Sequence, residues 1–382
     1  MEYQTEDLQT MIIIDLSFIR FNLYAGVSKY AYRLLDYIVE EGKSDDYILL
    51  LNIVSENKIR EWYPQFKTIS IGSQALLKYP MIRTIYLSYD FRRKVNQSGC
   101  QAVFCPWGNE ITCLKVKPFK ISVIHDLQLR LDTKGLLLKI HQIIDDTVVK
   151  NSDKIVTISE FSRSQILSFY PNVESKVISL GNSVLMYPDE RERLFKDRYI
   201  LYVGRICEMK NVMTLIKAYS LIHSQMSDCK LVVVGGRNNY WDNVIEPILK
   251  ENNIQEKVNL VQNCSEADLT NYYRYADLFV FPSLREGFGS PPLEAAILKT
   301  PVLTSIKDSL GEVTRGLLYQ LDDPCDEHEM ASKMSEILTN PPSEEKLEKI
   351  KDELLLHYSI QNVGKRICDY IKNTMLKNSK GK

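Results

Sequence analysis

Along almost its whole length the chain alternates short, β-rich apolar runs with longer stretches of helical periodicity. That alternation restricts it to parallel sheets built from βαβ units. In the first half the runs that read as strands are Met11–Asp15, Tyr47–Leu51, Thr68–Ile71, Ala102–Cys105, Lys120–Ile124, Lys154–Ile158 and Lys176–Ile178. Helical periodicity marks Val27–Glu40, Tyr79–Asn96, Leu136–Asn151 and Ser159–Tyr170. The second half repeats the style, with strands expected at Tyr199–Val203, Lys230–Val234, Val258–Val261, Leu278–Phe281, Pro301–Thr304 and Leu317–Gln320. Helices are expected there at Val212–Ser227, Asn243–Asn252, Ala267–Ala276, Pro292–Leu298 and Glu327–Thr339.

A chain of 382 residues exceeds what one hydrophobic core ordinarily supports, so two α/β domains are expected, residues 1–188 and 198–358. The segment Tyr187–Asp197 (YPDERERLFKD), polar and densely charged, reads as the linker. Beyond Pro341-Pro342 the pattern is amphipathic and helical to about Leu376, and the last lysine-rich residues read as a frayed tail. Doubly wound domains bind ligands outside the carboxyl ends of their strands. A cleft between the two domains is therefore the expected site.

Composition removes several function classes. The formal net charge is −1 and both halves are near neutral, without the basic stripe of a nucleic-acid binder. The first residues, MEYQTEDLQTMIIID, are acidic before they are apolar, unlike a signal peptide. No apolar run approaches the roughly 20 residues of a membrane span. The 8 cysteines show neither CxxC nor a histidine at zinc-ligand spacing, so buried or incidental thiols in a cytoplasmic setting are expected, with no metal site.

Four blocks carry the chemistry. In ADLFVFPSLREGFGSPPLEAA (276–296) a buried strand runs into Glu286-Gly287-Phe288-Gly289, and Ser290, Pro291 and Pro292 open a helix. Glycines admit a ligand close to the backbone, and a helix N-terminus offers N–H donors to a phosphate. Glu286 and Glu294, the latter expected in the first helical turn, suit the hydroxyls of a sugar or ribose. Taken singly, Glu294 also reads as a helix-dipole partner and Glu286 as a solvated side chain. In YVGRICEMKN (202–211), Arg205 and Lys210 follow Gly204 at a strand's carboxyl end, as a diphosphate leaving group requires. His125, in VIHDL (123–127), is placed to donate to a phosphate or a sugar hydroxyl, although a structural histidine is the plainer reading. Gly26 stands between the first strand and helix and suits a loop over a phosphate; GxGxxG, the dinucleotide fingerprint, is absent throughout.

Together, GVSKYAYRLL (26–35), VIHDL with KIVTISEFSRSQIL (154–167), YVGRICEMKN and the E-x7-E block resemble the family 4 retaining glycosyltransferases, in order and spacing over almost the whole chain. The resemblance implies a GT-B fold: two Rossmann-like, doubly wound parallel-sheet domains facing across a cleft, with a last helix near 361–377 returning to the first. It implies a hexosyltransferase that takes its sugar from a nucleotide diphosphate sugar and retains anomeric configuration. By that resemblance Glu286 meets the donor sugar and Glu294 the ribose, while amides near Phe288, Gly289 and Ser290 reach sugar and diphosphate. Arg205 and Lys210 hold the diphosphate after Gly204, Gly26 and His125 complete the site, and Gln262 with Asn263 lies at the nucleobase loop. The acceptor implied is a glycan or a lipid-linked saccharide, in surface-polysaccharide assembly, and neither a metal nor a bound cofactor is implied. Three positions depart from the family pattern: Gln262 and Lys299 stand where glycine is usual, and Gly311 where proline is usual. A nucleotide-sugar epimerase of the same fold, a phosphorylase carrying pyridoxal phosphate, and a non-catalytic partner subunit are the alternatives. Leu77–Lys94, with five basic residues among aromatics and aliphatics, adds peripheral membrane contact as an expectation.

Overall fold

The computed structural model describes residues 11–20, 26–76, 79–127, 130, 133–184 and 192–380. The chain divides into two compact units, residues 1–183 with 360–382, and residues 184–359. Residues 187–191 of the expected linker lie outside the described residues.

The first unit holds a fully parallel seven-stranded sheet. Its strands are β1 (Ile12–Leu16), β2 (Tyr47–Asn52), β3 (Lys67–Ile71), β4 (Ala102–Cys105), β5 (Phe119–Ile124), β6 (Lys154–Thr157) and β7 (Val177–Ser179). They lie in the order β3-β2-β1-β4-β5-β6-β7. Crossover helices cover a sheet of this kind, so central strands are buried on both sides and read as continuous apolar runs. Ile12, Ile13 and Ile14 are consecutive and all fully buried.

The second unit repeats the plan with six parallel strands: β8 (Arg198–Val203), β9 (Cys229–Val234), β10 (Val258–Val261), β11 (Leu278–Phe281), β12 (Val302–Ser305) and β13 (Tyr319–Leu321). The order is β10-β9-β8-β11-β12-β13, the doubly wound Rossmann arrangement.

Several element boundaries differ from the sequence reading. The helix expected to reach Ser227 ends at Ile222. The one expected from Asn243 starts as a π-turn over Trp241–Ile245, buried at Trp241 and Ile245, and continues as Glu246–Glu251. Short helices Glu56–Trp62 and Ser309–Val313 were not anticipated, being too brief to show a periodic signal. The C-terminal helix is two, Glu344–Tyr358 and Ile360–Lys380, separated by Ser359 in extended conformation (φ −61°, ψ 154°). Its lysine-rich end is helical to Lys380, a correction to the frayed tail.

The helix Ile360–Lys380 packs against Gly26–Glu40 within the first unit, burying Val363, Ile367, Cys368 and Ile371. Gly364 lies flat on the ring of Tyr37, where any Cβ would overlap it. Gln361 donates to Glu40 (3.1 Å), Arg366 to the Leu180 carbonyl (3.2 Å) and Lys372 to Asp46 (2.9 Å).

Candidate functional site

In the second sheet the strand order reverses between β8 and β11, the position at which folds of this kind bind ligands outside the carboxyl ends of their strands. The β8 loop begins at Gly204 (φ 155°), whose N–H donates to the Val234 carbonyl at 3.0 Å. Its own carbonyl oxygen sits 2.5 Å from where a Cβ of residue 235 would be, so only glycine fits at Gly235. Fully buried Tyr202 donates its hydroxyl to the Arg205 carbonyl (2.9 Å), and burial pushes the phenol far above its ordinary range, keeping it a donor. The Arg205 side chain itself is exposed.

After a 3-10 turn over Glu208–Lys210, Asn211 adopts the left-handed conformation (φ 55°). Its amide donates to the carbonyls of Pro282 (3.3 Å) and Pro324 (2.6 Å), while the Thr214 hydroxyl donates to its oxygen (2.6 Å). The Leu284 N–H donates to the Met209 carbonyl at 2.9 Å. These bonds fasten the β8 loop to the β11 loop. Sequence reasoning passed over Asn211, although it closes the YVGRICEMKN block.

The fastening brings Lys210 to Glu286. The Lys210 ammonium donates to Glu286 Oε1 at 2.5 Å and to the Arg285 carbonyl at 3.2 Å, with the paired side chains only 10% and 13% exposed. The Ser309 hydroxyl donates to the Glu286 carbonyl (2.9 Å). Next along the loop, Gly289 is left-handed (φ 84°) and caps the helix Ser290–Ile297 without a capping side chain. Pro291 and Pro292 bring no N–H and the Leu293 N–H is taken by the first intrahelical bond, so the Gly289 and Ser290 amides remain as donors at that end.

Because this helix starts at Ser290 rather than Pro292, Glu294 lies in its second turn, a correction that also removes the helix-dipole reading. Glu294 is buried, and the Tyr273 hydroxyl donates to it at 3.4 Å. Phe288 is buried edge-on against Tyr358, with ring centroids 5.5 Å apart, so its side chain is a packing element and any ligand contact falls to its backbone. At the end of β10, the Gln262 side chain accepts the Arg237 N–H (3.1 Å), and exposed Asn263 is left-handed (φ 54°). Lys299 occupies C′ of the helix, φ 66°: the Thr300 N–H reaches the Ala295 carbonyl and the Lys299 N–H that of Ala296, the Schellman pattern.

In the first unit, His125 follows β5 and is half-buried, edge-on to Tyr30 at 5.0 Å. Its Nε2 lies 2.8 Å from the Pro106 carbonyl, an acceptor, so Nε2 carries the proton. Burial pushes its pKa below the ordinary value, which favours the neutral ring and leaves Nδ1 an acceptor. The sequence reading had it a donor. The 154–167 block supports this loop: Ser162 donates to the His125 carbonyl (2.7 Å) and Gln165 accepts the Leu127 N–H (3.2 Å). Gly26 heads its helix exposed, and a Cβ there would meet nothing within 4 Å. Among the described residues no packing contact thus requires glycine there; residues 21–25, Ala25 among them, lie outside the described residues. Among the described residues no cluster of histidine, cysteine, aspartate and glutamate could hold a metal ion.

Residues 188–353, nearly all of the second unit, match the family model described as Glycosyl transferases group 1. The chain is 26% identical over 260 residues to the O-antigen chain mannosyltransferase RfbU of Salmonella typhimurium, covering 68% of this chain and 71% of that one. Among solved structures it is similar to a glycosyltransferase from Rickettsia africae ESF-5 (TM-score 0.73, 16% identity, 97% of this chain and 99% of that one). It is also similar to HepE of Anabaena in complex with UDP and glucose (TM-score 0.72, 11% identity, 95% and 99% covered). Over 95–97% of its length, then, the chain has the GT-B fold.

Proposed function

We propose that the chain is a retaining hexosyltransferase that takes its sugar from a nucleotide diphosphate sugar and delivers it to a glycan or lipid-linked acceptor in surface-polysaccharide biosynthesis. The observation that carries this reading is the buried Lys210–Glu286 pair beside the uncapped helix N-terminus at Ser290. It supplies a cation and amide donors for a diphosphate, and a carboxylate for sugar hydroxyls, at the one place in the sheet where the strand order reverses. The match over residues 188–353 and the O-antigen mannosyltransferase relative support it.

In the proposed reaction the bond from the anomeric carbon to the diphosphate breaks first, and negative charge grows on the leaving oxygens. Lys210, Arg205 and the Gly289 and Ser290 amides stabilise that charge; losing one such group typically costs about 3 kcal/mol of barrier. The acceptor hydroxyl attacks from the face the diphosphate leaves, passing its proton to a departing phosphate oxygen, which retains configuration. Glu294 binds the ribose, and Gln262 and Asn263 border the nucleobase; in the first unit, His125 offers Nδ1 as the acceptor of a hydrogen bond from a substrate hydroxyl, without taking its proton. Protein cations serve the diphosphate, so the reaction is proposed to be metal-independent, and chelation by EDTA should leave the rate unchanged.

Thermal-shift screening against a panel of nucleotide sugars tests the reading, since a ligand at 100 times its Kd stabilises by about 2.7 kcal/mol. A stabilising donor should then release nucleoside diphosphate on turnover, and Glu286→Ala should abolish that release while Arg205→Ala raises the donor KM and lowers kcat. Conversion of the donor without nucleotide release would mean an epimerase. Binding without any conversion would mean a partner subunit.

The acceptor side is proposed to meet an anionic lipid surface. Two helices of the first unit carry exposed apolar stripes at helical spacing, Ile82, Ile85 and Tyr89 on one and Leu136, Ile140 and Ile143 on the other, each at least 44% exposed. Arg92, Arg93 and Lys139 are exposed on the same helices. Among the described residues no helix is long and apolar enough to cross a membrane. Flotation with anionic vesicles at low salt checks the contact; failure to float would end it.

A further inference from the structure

Asn238, in the loop after β9, makes three hydrogen bonds with one exposed side chain. Its oxygen accepts the N–H groups of Tyr240 and Trp241, each at 3.0 Å, which holds the start of the π-turn. Its amide donates across to the β8 loop, to the Ile206 carbonyl at 2.8 Å. The rest of Ile206 is equally fixed: its side chain is fully buried, 3.1 Å from where a Cβ on Gly235 would stand. One residue on, the Cys207 carbonyl accepts the Lys210 N–H at 3.0 Å. A trans peptide is planar, so its N–H points opposite to its carbonyl. Pinning the Ile206 carbonyl therefore aims the Cys207 N–H away from the β9 loop. Because β8 lies between β9 and β11, the opposite side is that of the β11 loop, which carries Glu286 and the helix N-terminus at Ser290. Cys207 is half-buried, and among the described residues its N–H donates to no protein group.

We propose that the Cys207 amide is a further hydrogen-bond donor to the diphosphate of the sugar donor, and that Asn238 is the positioning residue that aims it. The inference rests on the donor-site reading above and adds to it one backbone donor and the side chain behind that donor. A diphosphate favours such a group, because hydrogen bonds to a charged acceptor are stronger than those between neutral partners. An amide already held in place also needs no reorganisation when the ligand arrives. Asn238 thus does two separable things: its oxygen serves the fold of its own loop, and its NH2 serves the phosphates.

The test uses the full chain and measures, by ligand-observed NMR, the affinity of UDP and GDP beside that of uridine and guanosine. Asn238→Asp keeps the oxygens that accept from Tyr240 and Trp241 but has no donor for the Ile206 carbonyl, whereas Asn238→Ala loses all three bonds. Both variants are expected to bind the preferred nucleoside diphosphate about tenfold more weakly than wild type, and the matching nucleoside equally well. The thermal midpoint should fall in Asn238→Ala and stay near wild type in Asn238→Asp, since aspartate serves as well as asparagine at a helix start. Wild-type diphosphate affinity in both variants would overturn the proposal. A loss confined to Asn238→Asp would also overturn it, by assigning the effect to the added negative charge. Equal losses for nucleoside and nucleoside diphosphate would reduce Asn238 to a support of the loop and sink the proposal likewise. Failure of the donor-site reading is distinguishable, because the wild type itself would then bind neither UDP nor GDP.

Discussion

Lys299 shows how one residue can carry a cost that its neighbours only partly offset. At C′ of a Schellman turn the left-handed backbone disfavours any residue with a Cβ. Its ammonium pairs with Glu344 (2.8 Å) and Glu348 (3.2 Å), but these are surface contacts of little worth. Lys299→Gly is therefore expected to stabilise the protein by about 0.5–1 kcal/mol in urea unfolding. Lys210 and Glu286 behave in the opposite way, because their pair is mostly buried. Lys210→Met alone should destabilise by about 2–4 kcal/mol, whereas adding Glu286→Gln should restore most of that stability and none of the sugar transfer. Recovered activity in the double variant would remove the pair from the chemistry. Lys210 and Glu286 were legible in the sequence because each follows an apolar strand run and sits among glycines or prolines. Asn211 was not. Its place is held by partners far along the chain, the Pro282 and Pro324 carbonyls, and no local pattern encodes such contacts.

Among the elements, β1 carries an unusual burden, a fully buried aspartate. Burial raises the Asp15 pKa from 3.8 to about 7, against the opposing hydrogen bond from the Ser17 N–H. Between those values the folded chain holds a proton that the unfolded chain has released. Stability should accordingly fall as pH rises from about 4 to 7 and level off above, by a total on the order of 4 kcal/mol. Asp15→Asn should flatten that profile in denaturant titrations across the window. The last helix offers a second test. Alanine ordinarily strengthens a helix over glycine by about 1 kcal/mol, yet Gly364→Ala would press a methyl into the Tyr37 ring. The expected net effect is a loss of about 1–3 kcal/mol, the scale of overpacking. Strands such as Val258–Val261 and Leu278–Phe281 were readable to the residue, since a buried parallel strand is a short apolar run bounded by polar turns. The π-turn at Trp241 and the break at Ser359 were not, because buried packing sets the first and the second interrupts a pattern that is amphipathic on both sides.

For the molecule as a whole, the decisive feature is that residues 360–382 belong with residues 1–183, while everything between them forms a unit of its own. Removing residues 360–382 should therefore lower the unfolding transition of the first unit and leave nucleotide binding by the second intact, as calorimetry with and without a donor nucleotide would show. During synthesis the same arrangement imposes an order of completion. At about 5–20 residues per second, the segment 184–359 takes on the order of 10–35 s to be made. Through that interval the face of Gly26–Glu40 around Tyr37 waits uncovered. The half of the chain born first is thus finished last, and its uncovered face is exposed to misassociation throughout the making of the later half.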